Sequence, residues 1–200
     1  AKGGTDLMLA VKTMPLSIVQ QLVDSGASIS VQDNEGHDAL WHAIEASDIS
    51  VIAYLAERHP QLSLKDRQGR TFLHQSLAHD KTSIIDLLLS SGIEIDAQAG
   101  DGNTALMIAS SRGNSLAVEQ MIRKGADMDI KNNIGNSAFM LAAQAGSDKS
   151  VSLLLQAGAD VDARNDKREQ AIDLARLGGY EQVVEMIQRY KEDNNLFGIF

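Results

Sequence analysis

Two stretches of the chain show the same order of residue types 33 positions apart: Gly69-Arg70-Thr71-Phe72-Leu73-His74 and Gly102-Asn103-Thr104-Ala105-Leu106-Met107. The glycine that opens them also stands at positions 3, 36 and 135, and only the sixth place in this column, Arg168, departs. Similarity at a fixed period of this length is the sequence signature of repeat proteins. The chain is therefore predicted to contain six copies of one short unit.

Apolar residues keep the same period. Four columns run through the units: one large and apolar, one small, one β-branched and one aliphatic. They are Leu7, Leu40, Leu73, Leu106, Phe139 and Ile172; Ala10, Ala43, Ser76, Ala109, Ala142 and Ala175; Val19, Ile52, Ile85, Val118, Val151 and Val184; and Leu22, Leu55, Leu88, Met121, Leu154 and Ile187. The i, i+1, i+4, i+5 spacing of Ile84, Ile85, Leu88 and Leu89 predicts one apolar stripe on a helix.

Capping signals bracket two helices in most units. Residues whose side-chain oxygens accept hydrogen bonds from first-turn N–H groups precede the first helix: Thr5, Asp38, Thr71, Thr104 and Ser137. Glycines suited to a left-handed C-cap follow the second helix: Gly26, Gly92, Gly125 and Gly158. A pair of helices this short cannot bury its apolar stripe alone, whereas stacked neighbours can.

These residues resemble the ankyrin repeat family over essentially the whole chain. The family pattern Gly-x-Thr-Pro-Leu-His-x-Ala is similar to the two opening stretches. Its closing Gly-Ala-Asp-Val-Asn/Asp-Ala is similar to Gly125-Ala126-Asp127-Met128-Asp129 and Gly158-Ala159-Asp160-Val161-Asp162-Ala163. The proline of the pattern never appears, and its histidine is kept only as His74. The resemblance implies an all-α fold, an ankyrin-repeat solenoid of stacked helix-turn-helix units joined by β-hairpin-like turns.

The 33-residue period also predicts where the domain and its repeats begin and end. We expect one ankyrin-repeat domain over 1–193, with units at about 1–32, 33–65, 66–98, 99–131, 132–164 and 165–193. Residue 1 already lies inside the first hairpin, so we expect a fragment of a longer array with a near-natural C-terminal cap. Residues 194–200 form an apolar tail; folding back on the last repeat is favoured, and a following module or a short docking peptide stays open.

Composition removes several classes of function. The 18 basic and 27 acidic residues give a net charge of −9, which argues against nucleic acid as a partner because phosphate binding needs a positive surface. The absence of cysteine removes disulfides, thiolate nucleophiles and cysteine metal ligands. No apolar run approaches a membrane span, so direct membrane insertion is not expected, and the missing signal region favours a cytoplasmic location.

Three motifs that elsewhere carry chemistry fit the repeat better. The letters of Gly100-Asp101-Gly102-Asn103-Thr104-Ala105 match a dinucleotide fingerprint, but that motif needs a preceding strand, and its second glycine belongs to the repeat column. The Asp-rich segments 127–133 and 160–166 lack the Gly and Glu of a calcium loop. His37 and His42 are not spaced on one helix face as converging zinc ligands would be. No cofactor, metal site or catalytic centre is predicted.

The resemblance implies a function as well as a fold. In the family, hairpin tips and first-helix faces form a concave surface that contacts partners. We therefore expect a non-enzymatic protein–protein interaction module, an adaptor or scaffold for a protein or peptide. The alternative is a regulatory or targeting segment of a larger enzyme, channel or secreted effector whose activity lies elsewhere. The candidate partner-binding residues are Asn34, Glu35, His37, Trp41, Glu45, Lys65, Arg67, Gln68, Arg70, His79, Asp101, Asn103, Arg112, Lys131, Asn133, Ile134, Asn136, Gln144 and Arg164.

Two features of this set are distinctive. Lys65, Arg67 and Arg70 are expected to cluster at one hairpin, a candidate site for an acidic peptide because arginine pairs well with carboxylates; solubilising surface charge is an equally weighted alternative. Reversing the charge of both arginines is expected to weaken partner binding and leave folding nearly unchanged. Trp41, the sole tryptophan, is expected mainly to pack in the core, with an interface role as the alternative.

Overall fold

The computed structural model of the chain describes residues 5–46, 48–59, 62–78 and 82–197, with side chains through residue 194. Every regular element in these ranges is helical, as the sequence predicts. The α-helices are α1 (Asp6–Thr13), α2 (Leu16–Asp24), α3 (Ala39–Ala46), α4 (Ile49–Arg58), α5 (Phe72–Ala78), α6 (Ile85–Ser90), α7 (Ala105–Ser111), α8 (Ser115–Arg123), α9 (Ala138–Gln144), α10 (Asp148–Gln156), α11 (Ala171–Gly178) and α12 (Glu181–Phe197). One turn of 3-10 helix, Thr82–Ile84, precedes α6.

The helices form two compact units, an N-terminal unit of residues 1–100 and a C-terminal unit of residues 101–200. In the N-terminal unit, α1, α3 and α5 pack side by side, and each contacts the second helix of its own pair. In the C-terminal unit, α7, α9 and α11 pack in the same way, while α10 contacts both α8 and α12. Each unit is therefore a stack of three helical hairpins.

Polar side chains at the predicted capping positions begin the first helices. Thr5 Oγ1, Thr104 Oγ1 and Ser137 Oγ accept hydrogen bonds from the backbone N–H three residues later, at 3.3, 3.3 and 3.4 Å. Asp38 Oδ1 accepts from the N–H of Trp41 at 2.9 Å. These bonds satisfy N–H groups that a helix leaves without an intrahelical partner, so at these four helices the preceding residue fixes where the helix starts.

Glycine ends most second helices in the left-handed conformation. Gly26, Gly92, Gly125 and Gly158 have φ between 85° and 96°. After α8, the N–H groups of Gly125 and Ala126 donate to carbonyls of the last helical turn, both at 3.0 Å. This pair of bonds is a Schellman motif. His59 stands in the same column, and its backbone is extended instead.

The four apolar columns form the core of both units. Their members are at most 7% exposed, except Leu22, which is half-buried. Ser76, the polar member of the small column, is also buried, and its hydroxyl donates to the carbonyl of Leu73 at 2.8 Å. Burying one large aliphatic side chain stabilises a fold by about 1.5–3 kcal/mol, so the periodic apolar residues are the main source of cohesion within each stack.

Hairpin-like turns connect the helix pairs, and the tips of these turns are joined through their backbones. The turn at 33–37 closes with a backbone hydrogen bond of 2.8 Å. The N–H of Arg67 in the next tip donates to the carbonyl of Glu35 at 3.1 Å, and the N–H of Gly100 donates to the carbonyl of Gln68 at 2.7 Å. Successive tips in the N-terminal unit are thus fastened to one another without using any side chain.

The repeat glycine lies at this contact between tips. Gly36, Gly69, Gly102 and Gly135 have φ between 75° and 86°. A Cβ on Gly69 would lie 2.9 Å from the backbone nitrogen of Gly100, and one on Gly135 would lie 2.6 Å from that of Asp166. Glycine is therefore required twice, for its left-handed backbone and for the close approach of the next tip.

Arg168 occupies the sixth place in the same column. It is the one non-glycine residue with positive φ in the described ranges, at 64°. The turn still closes, because the N–H of Asn165 donates to the carbonyl of Glu169 at 3.0 Å. No further hairpin follows this tip among the described residues, so Arg168 meets only the conformational penalty, about 1–2 kcal/mol for a left-handed residue.

The last helix extends further than the sequence analysis expects. α12 continues to Phe197, so the first residues of the expected tail prolong a helix; the remainder, 198–200, lies outside the described residues. Lys191 on α12 donates to Asp162 Oδ1 at 2.7 Å, and this hydrogen bond is the largest cause that holds the pKa of Asp162 below its ordinary value. Neither α12 nor any other described helix is long and apolar enough to cross a membrane.

The core register can be tested at α6. Leu88→Ala is expected to lower the free energy of unfolding by about 2–5 kcal/mol, because the side chain is fully buried and its removal leaves a cavity. Leu177→Ala is the matched control, since Leu177 is 76% exposed and its truncation should change stability by less than about 0.5 kcal/mol. Urea denaturation followed by circular dichroism gives both values, and equal losses would contradict the register.

The contact between tips can be tested at two glycines that share a left-handed backbone. Gly158→Ala is expected to destabilise by about 1 kcal/mol through conformation alone, because nothing lies within 4 Å of the added Cβ. Gly135→Ala adds a clash with the backbone of Asp166 and should lose about 1–3 kcal/mol more. The same denaturation measurement compares them; a loss at Gly135 no larger than that at Gly158 would show that the tips do not touch as described.

Candidate functional site

The candidate partner-binding residues differ in exposure. Those with exposed positions are Asn34, Glu35, Lys65, Arg67, Gln68, Asp101, Arg112, Lys131, Asn133, Ile134, Gln144 and Arg164. His37, Glu45, Arg70 and Asn103 are half-buried. Ile134 is 61% exposed and is the large aliphatic side chain of this set. The exposed set therefore lies mainly at the hairpin tips.

Two candidates lie in the interior, and one is outside the described residues. Trp41 is 0% exposed and packs against Phe72, with ring centroids 5.7 Å apart. Asn136 is 2% exposed, and its side-chain oxygen accepts from Asn165 Nδ2 at 2.9 Å. Since a buried side chain offers no surface to a partner, these two residues leave the candidate surface. His79 falls in the range that the structure does not describe.

Side chains that open the turns hold the tips rigid. Asp33 Oδ1 accepts from the N–H groups of Glu35 and His37, at 2.9 and 3.0 Å. Asn165 makes the same pair of bonds in the last turn, at 3.0 and 2.9 Å. Asp and Asn are the residues that form such turns with their own backbone. The backbone between these bonds is therefore fixed while the side chains at the tip face solvent.

Two lysines add contacts from the exposed side of the tips. Lys65 Nζ donates to the carbonyl of Gln98 at 3.1 Å in the N-terminal unit. Lys131 Nζ donates to the carbonyl of Arg164 at 2.8 Å in the C-terminal unit. Each contact spans 33 residues, so the same register position makes the same contact in both units. These cations are thereby held at the edge of the tips.

A cluster of polar side chains lies behind the tip at 33–37, and the sequence analysis does not predict it. His42 Nε2 lies 3.0 Å from Asp33 Oδ2, and His42 Nδ1 lies 3.2 Å from Glu45 Oε2. The ring of His37 stacks on Trp41 with centroids 4.6 Å apart and planes 6° apart. His37 and His42 share no helix face, yet their rings meet edge-on at 5.8 Å, because the turn folds His37 back over the start of α3.

The carboxyls of this cluster are acidic. The hydrogen bond with His42 is the largest cause that lowers the pKa of Glu45, and it outweighs the opposing effect of burial. At Asp33, burial is the largest single effect and raises the pKa, but hydrogen bonds from the backbone of His37 and Glu35 and from His42 together bring it below the ordinary value. Both groups are therefore ionised at neutral pH.

Arg70 is a structural cation and not a simple surface charge. Its Nε and one terminal nitrogen both lie 2.7 Å from Asp66 Oδ2, and the side chain of Asp66 is fully buried. The guanidinium also lies 5.6 Å from the ring centre of Trp41. A buried carboxylate without a counter-charge is strongly destabilising. The expectation that Arg67 and Arg70 can both be reversed without affecting folding is therefore revised for Arg70.

A buried hydrogen bond between side chains joins the start of α3 to the end of α4. His59 Nε2 lies 2.7 Å from Asp38 Oδ2, and both side chains are 0% exposed. The other carboxylate oxygen of Asp38 caps α3. The His59 ring meets Phe72 edge-on, with centroids 5.5 Å apart. This pair gives a physical reason for histidine at position 59, where other repeats have a C-cap glycine.

The other sequence motifs have local roles. Thr71 donates from its backbone N–H to His74 Nδ1 at 3.2 Å, which is the local bond expected for the one histidine that fits the repeat pattern. Gly102 has the left-handed backbone of a hairpin tip, and Thr104 caps α7. Asp127 and Asp160 accept from N–H groups two residues later in their own loops, at 2.8 and 2.9 Å. These segments build the repeat itself.

The fold and its capped, tip-to-tip hairpins define a helical repeat protein of the ankyrin class. A family model of ankyrin repeats in three copies matches residues 7–99 and 96–165. The chain therefore belongs to the ankyrin repeat family. Domains of this family generally mediate protein–protein interactions, their fold is generally a non-enzymatic module, and the model that matches is not that of a catalytic family.

Solved structures agree with the fold. The ankyrin repeat domain of Bcl-3, a member of the IkappaB protein family, aligns with a TM-score of 0.86 at 27% identity, over 95% of this chain and 87% of that chain. A chain from the complex of the predatory endopeptidase Bd0816 of Bdellovibrio bacteriovorus with the immunity protein Bd3460 aligns with a TM-score of 0.82 at 24% identity, over 94% of this chain and 99% of that chain. The latter likeness concerns the fold alone. No curated protein sequence matches the chain.

The two arginines of one tip provide a test of their different roles. Arg70→Glu places a second carboxylate beside buried Asp66 and is expected to lower the free energy of unfolding by about 1–3 kcal/mol, less than for a fully buried pair because Arg70 is partly exposed. Arg67→Glu, the same change at an exposed position, should cost less than about 0.5 kcal/mol. Thermal and urea unfolding measure both, and equal stability of the two variants would contradict the assigned role of Arg70.

Proposed function

We propose that the chain is a non-enzymatic interaction module, an adaptor or scaffold, that binds a protein or peptide on the concave face formed by its hairpin tips and first helices. Membership of the ankyrin repeat family supports this proposal, because domains of that family generally mediate protein–protein interaction. One observation carries it further. The tips combine a backbone fixed by several hydrogen bonds with side chains that the fold leaves exposed.

The rigidity of the tips matters for binding. Ordering a flexible loop on association is unfavourable, and a surface that is already ordered avoids that loss. In the turn at 132–136, the Asn132 side chain accepts from the N–H groups of Ile134 and Asn136, at 3.2 and 2.9 Å. The N–H of Asn133 also donates to the carbonyl of Asp101 in the preceding tip at 3.1 Å. The exposed side chains of this tip are therefore presented in one arrangement.

The exposed side chains favour an acidic partner segment with an apolar anchor. In the C-terminal unit, Ile134 is exposed on a tip that begins with Lys131, and Lys131 contacts the backbone of Arg164. In the N-terminal unit, Lys65 and Arg67 are exposed on one hairpin. An apolar residue beside cations matches the arrangement of an interface anchor with a charged rim. These cations attract an acidic segment over a short range, because salt screens the net charge of −9 that the rest of the chain contributes.

A peptide-display selection tests the proposal, because a random peptide library does not require a partner to be chosen in advance. The purified chain is used as bait for the library, and the affinity of an enriched peptide is measured by fluorescence polarisation. We expect enriched peptides to contain Asp or Glu near an apolar residue. Lys131→Glu with Arg164→Glu, two exposed cations of the C-terminal unit, should weaken their binding by roughly 10-fold or more, because both changes repel an acidic segment at the rim. Ile134→Ser should weaken it further by removing the anchor.

The control carries the same change of charge at a different place. Arg123→Glu with Arg189→Glu alters two exposed arginines on second helices, away from the tips. This pair should leave peptide affinity within about two-fold of the original, since charges outside the contact act only weakly at physiological salt. Enrichment of peptides without acidic residues, or equal loss of affinity in both double variants, would refute the proposed binding face.

A further inference from the structure

The polar cluster behind the tip at 33–37 brings together the kinds of group that bind transition metals. One nitrogen from each of His37 and His42 and one carboxylate oxygen of Asp33 all lie within 4.8 Å of one another. Imidazole nitrogen and carboxylate oxygen are both ligands of zinc. All three residues belong to the N-terminal unit, so the site depends on no contact outside that unit.

The hydrogen bonding of His37 is the second observation. Its Nε2 is buried, and within the described residues it has no hydrogen-bond partner. The nearest carboxylate oxygen, Asp66 Oδ2, lies 3.7 Å away, beyond a normal hydrogen bond, and is already bonded to Arg70. A buried polar atom without a partner is unfavourable unless something else satisfies it.

We propose that Asp33, His37 and His42 form a zinc-binding site, with the fourth coordination position open to water. This inference is independent of the proposed partner-binding face. The 3.0 Å between Asp33 Oδ2 and His42 Nε2 is already close to the separation of about 3.4 Å that tetrahedral bonds of 2.0–2.1 Å impose. The ligand atoms that are furthest apart, at most 4.8 Å, have to close by up to about 1.4 Å to reach this separation.

The surroundings of the three groups match the support that metal ligands need. His42 can bind zinc through Nε2 while Nδ1–H donates to Glu45 Oε2 at 3.2 Å. A carboxylate behind a ligating histidine orients the ring and raises its basicity. Glu45 is itself held by Gln75 Nε2, which donates to Glu45 Oε1 at 3.2 Å. Asp33 is fixed by the two backbone N–H groups that bond its other oxygen.

The local charge also favours a cation. Asp33, Glu45 and Asp66 bring three carboxylates around the two histidines, and Arg70 is the guanidinium that pairs with Asp66. A divalent ion would balance the remaining two carboxylates. Without a metal, hydrogen bonds from His42 to Asp33 and Glu45 hold the cluster together, and the experiment has to distinguish that arrangement from a metal site.

The repeat itself supplies substitutions that preserve the fold. The place of Asp33 holds Asn132 and Asn165 in later repeats, and these asparagines make the same turn bonds. The place of His37 holds Asn103 and Asn136, the place of His42 holds Gln75, and the place of Glu45 holds Gln144. Asp33→Asn, His37→Asn, His42→Gln and Glu45→Gln therefore each install a residue that the same backbone position already accepts elsewhere in the chain.

The experiment uses the full chain, stripped with EDTA and titrated with ZnCl2 in a calorimeter at neutral pH. We expect one zinc ion per chain. Each of the three ligand substitutions should lower zinc affinity by more than about 100-fold, and Glu45→Gln by about 10–100-fold, as for a supporting carboxylate. Titration with CoCl2 gives a second readout, because Trp41 is the sole tryptophan and a paramagnetic ion beside His37 should quench its fluorescence saturably.

The control removes a histidine that lies outside the cluster. His74→Met installs the residue found at the same place in α7, where Met107 Sδ accepts from the N–H of Thr104 at 3.5 Å in place of the imidazole. It should leave zinc affinity and the CoCl2 quenching unchanged. The proposal is overturned if the original chain binds no zinc, if His42→Gln binds it equally well while remaining folded by circular dichroism, or if His74→Met abolishes binding as the ligand substitutions do.

Discussion

The backbone hydrogen bond between one hairpin tip and the preceding tip is the constraint on which the other features of the tips depend. It brings main chains so close that a Cβ at the repeat position would clash, as at Gly69 and Gly135. It also occupies the N–H and carbonyl groups that form it, such as the N–H of Arg67 and the carbonyl of Glu35. The exposed side chains of the tips stand beside residues whose side chains close the turns, Asp33, Asp66, Asn132 and Asn165.

Much of the architecture could be predicted from the sequence because its causes are periodic. Burial of apolar side chains and capping of helix ends act at fixed positions in every repeat, so Leu40 or Thr104 can be assigned by counting. The polar contacts do not follow from counting. The pair of Asp38 and His59 spans 21 residues and exists because α4 returns His59 to the start of α3. An Asp four residues before His37 was a signal of an Asx turn, but only the folded turn shows that it also carries Asp33 to His42.

The candidate binding surface was predicted less well for the same physical reason. Position in the repeat tells which residues lie on a tip, but not which of them are used by their neighbours. Arg67 and Arg70 stand on one tip, and only Arg70 neutralises a buried carboxylate. Asn133 is exposed, whereas Asn136, three residues later, is buried and bonded to the next turn. For Asn136 the distinction depends on a contact with the next hairpin, and for Arg70 it depends on the burial of Asp66, neither of which can be read from the position in the repeat.

The same backbone hydrogen bond joins neighbouring tips within each unit, but the side chains beside it differ between the units. In the C-terminal unit, the asparagine that begins a turn donates a side-chain hydrogen bond to the asparagine that ends the preceding turn. Asn132 donates to Asn103 and Asn165 donates to Asn136, both at 2.9 Å. In the N-terminal unit the equivalent pair is Asp66 and His37, and their nearest atoms are 3.7 Å apart. Two side-chain amides form a hydrogen bond at that place in the C-terminal unit, whereas His37 Nε2 has no hydrogen-bond partner among the described residues. The amide pairs therefore need no further group, whereas His37 is the position whose bonding the proposed metal ion would complete.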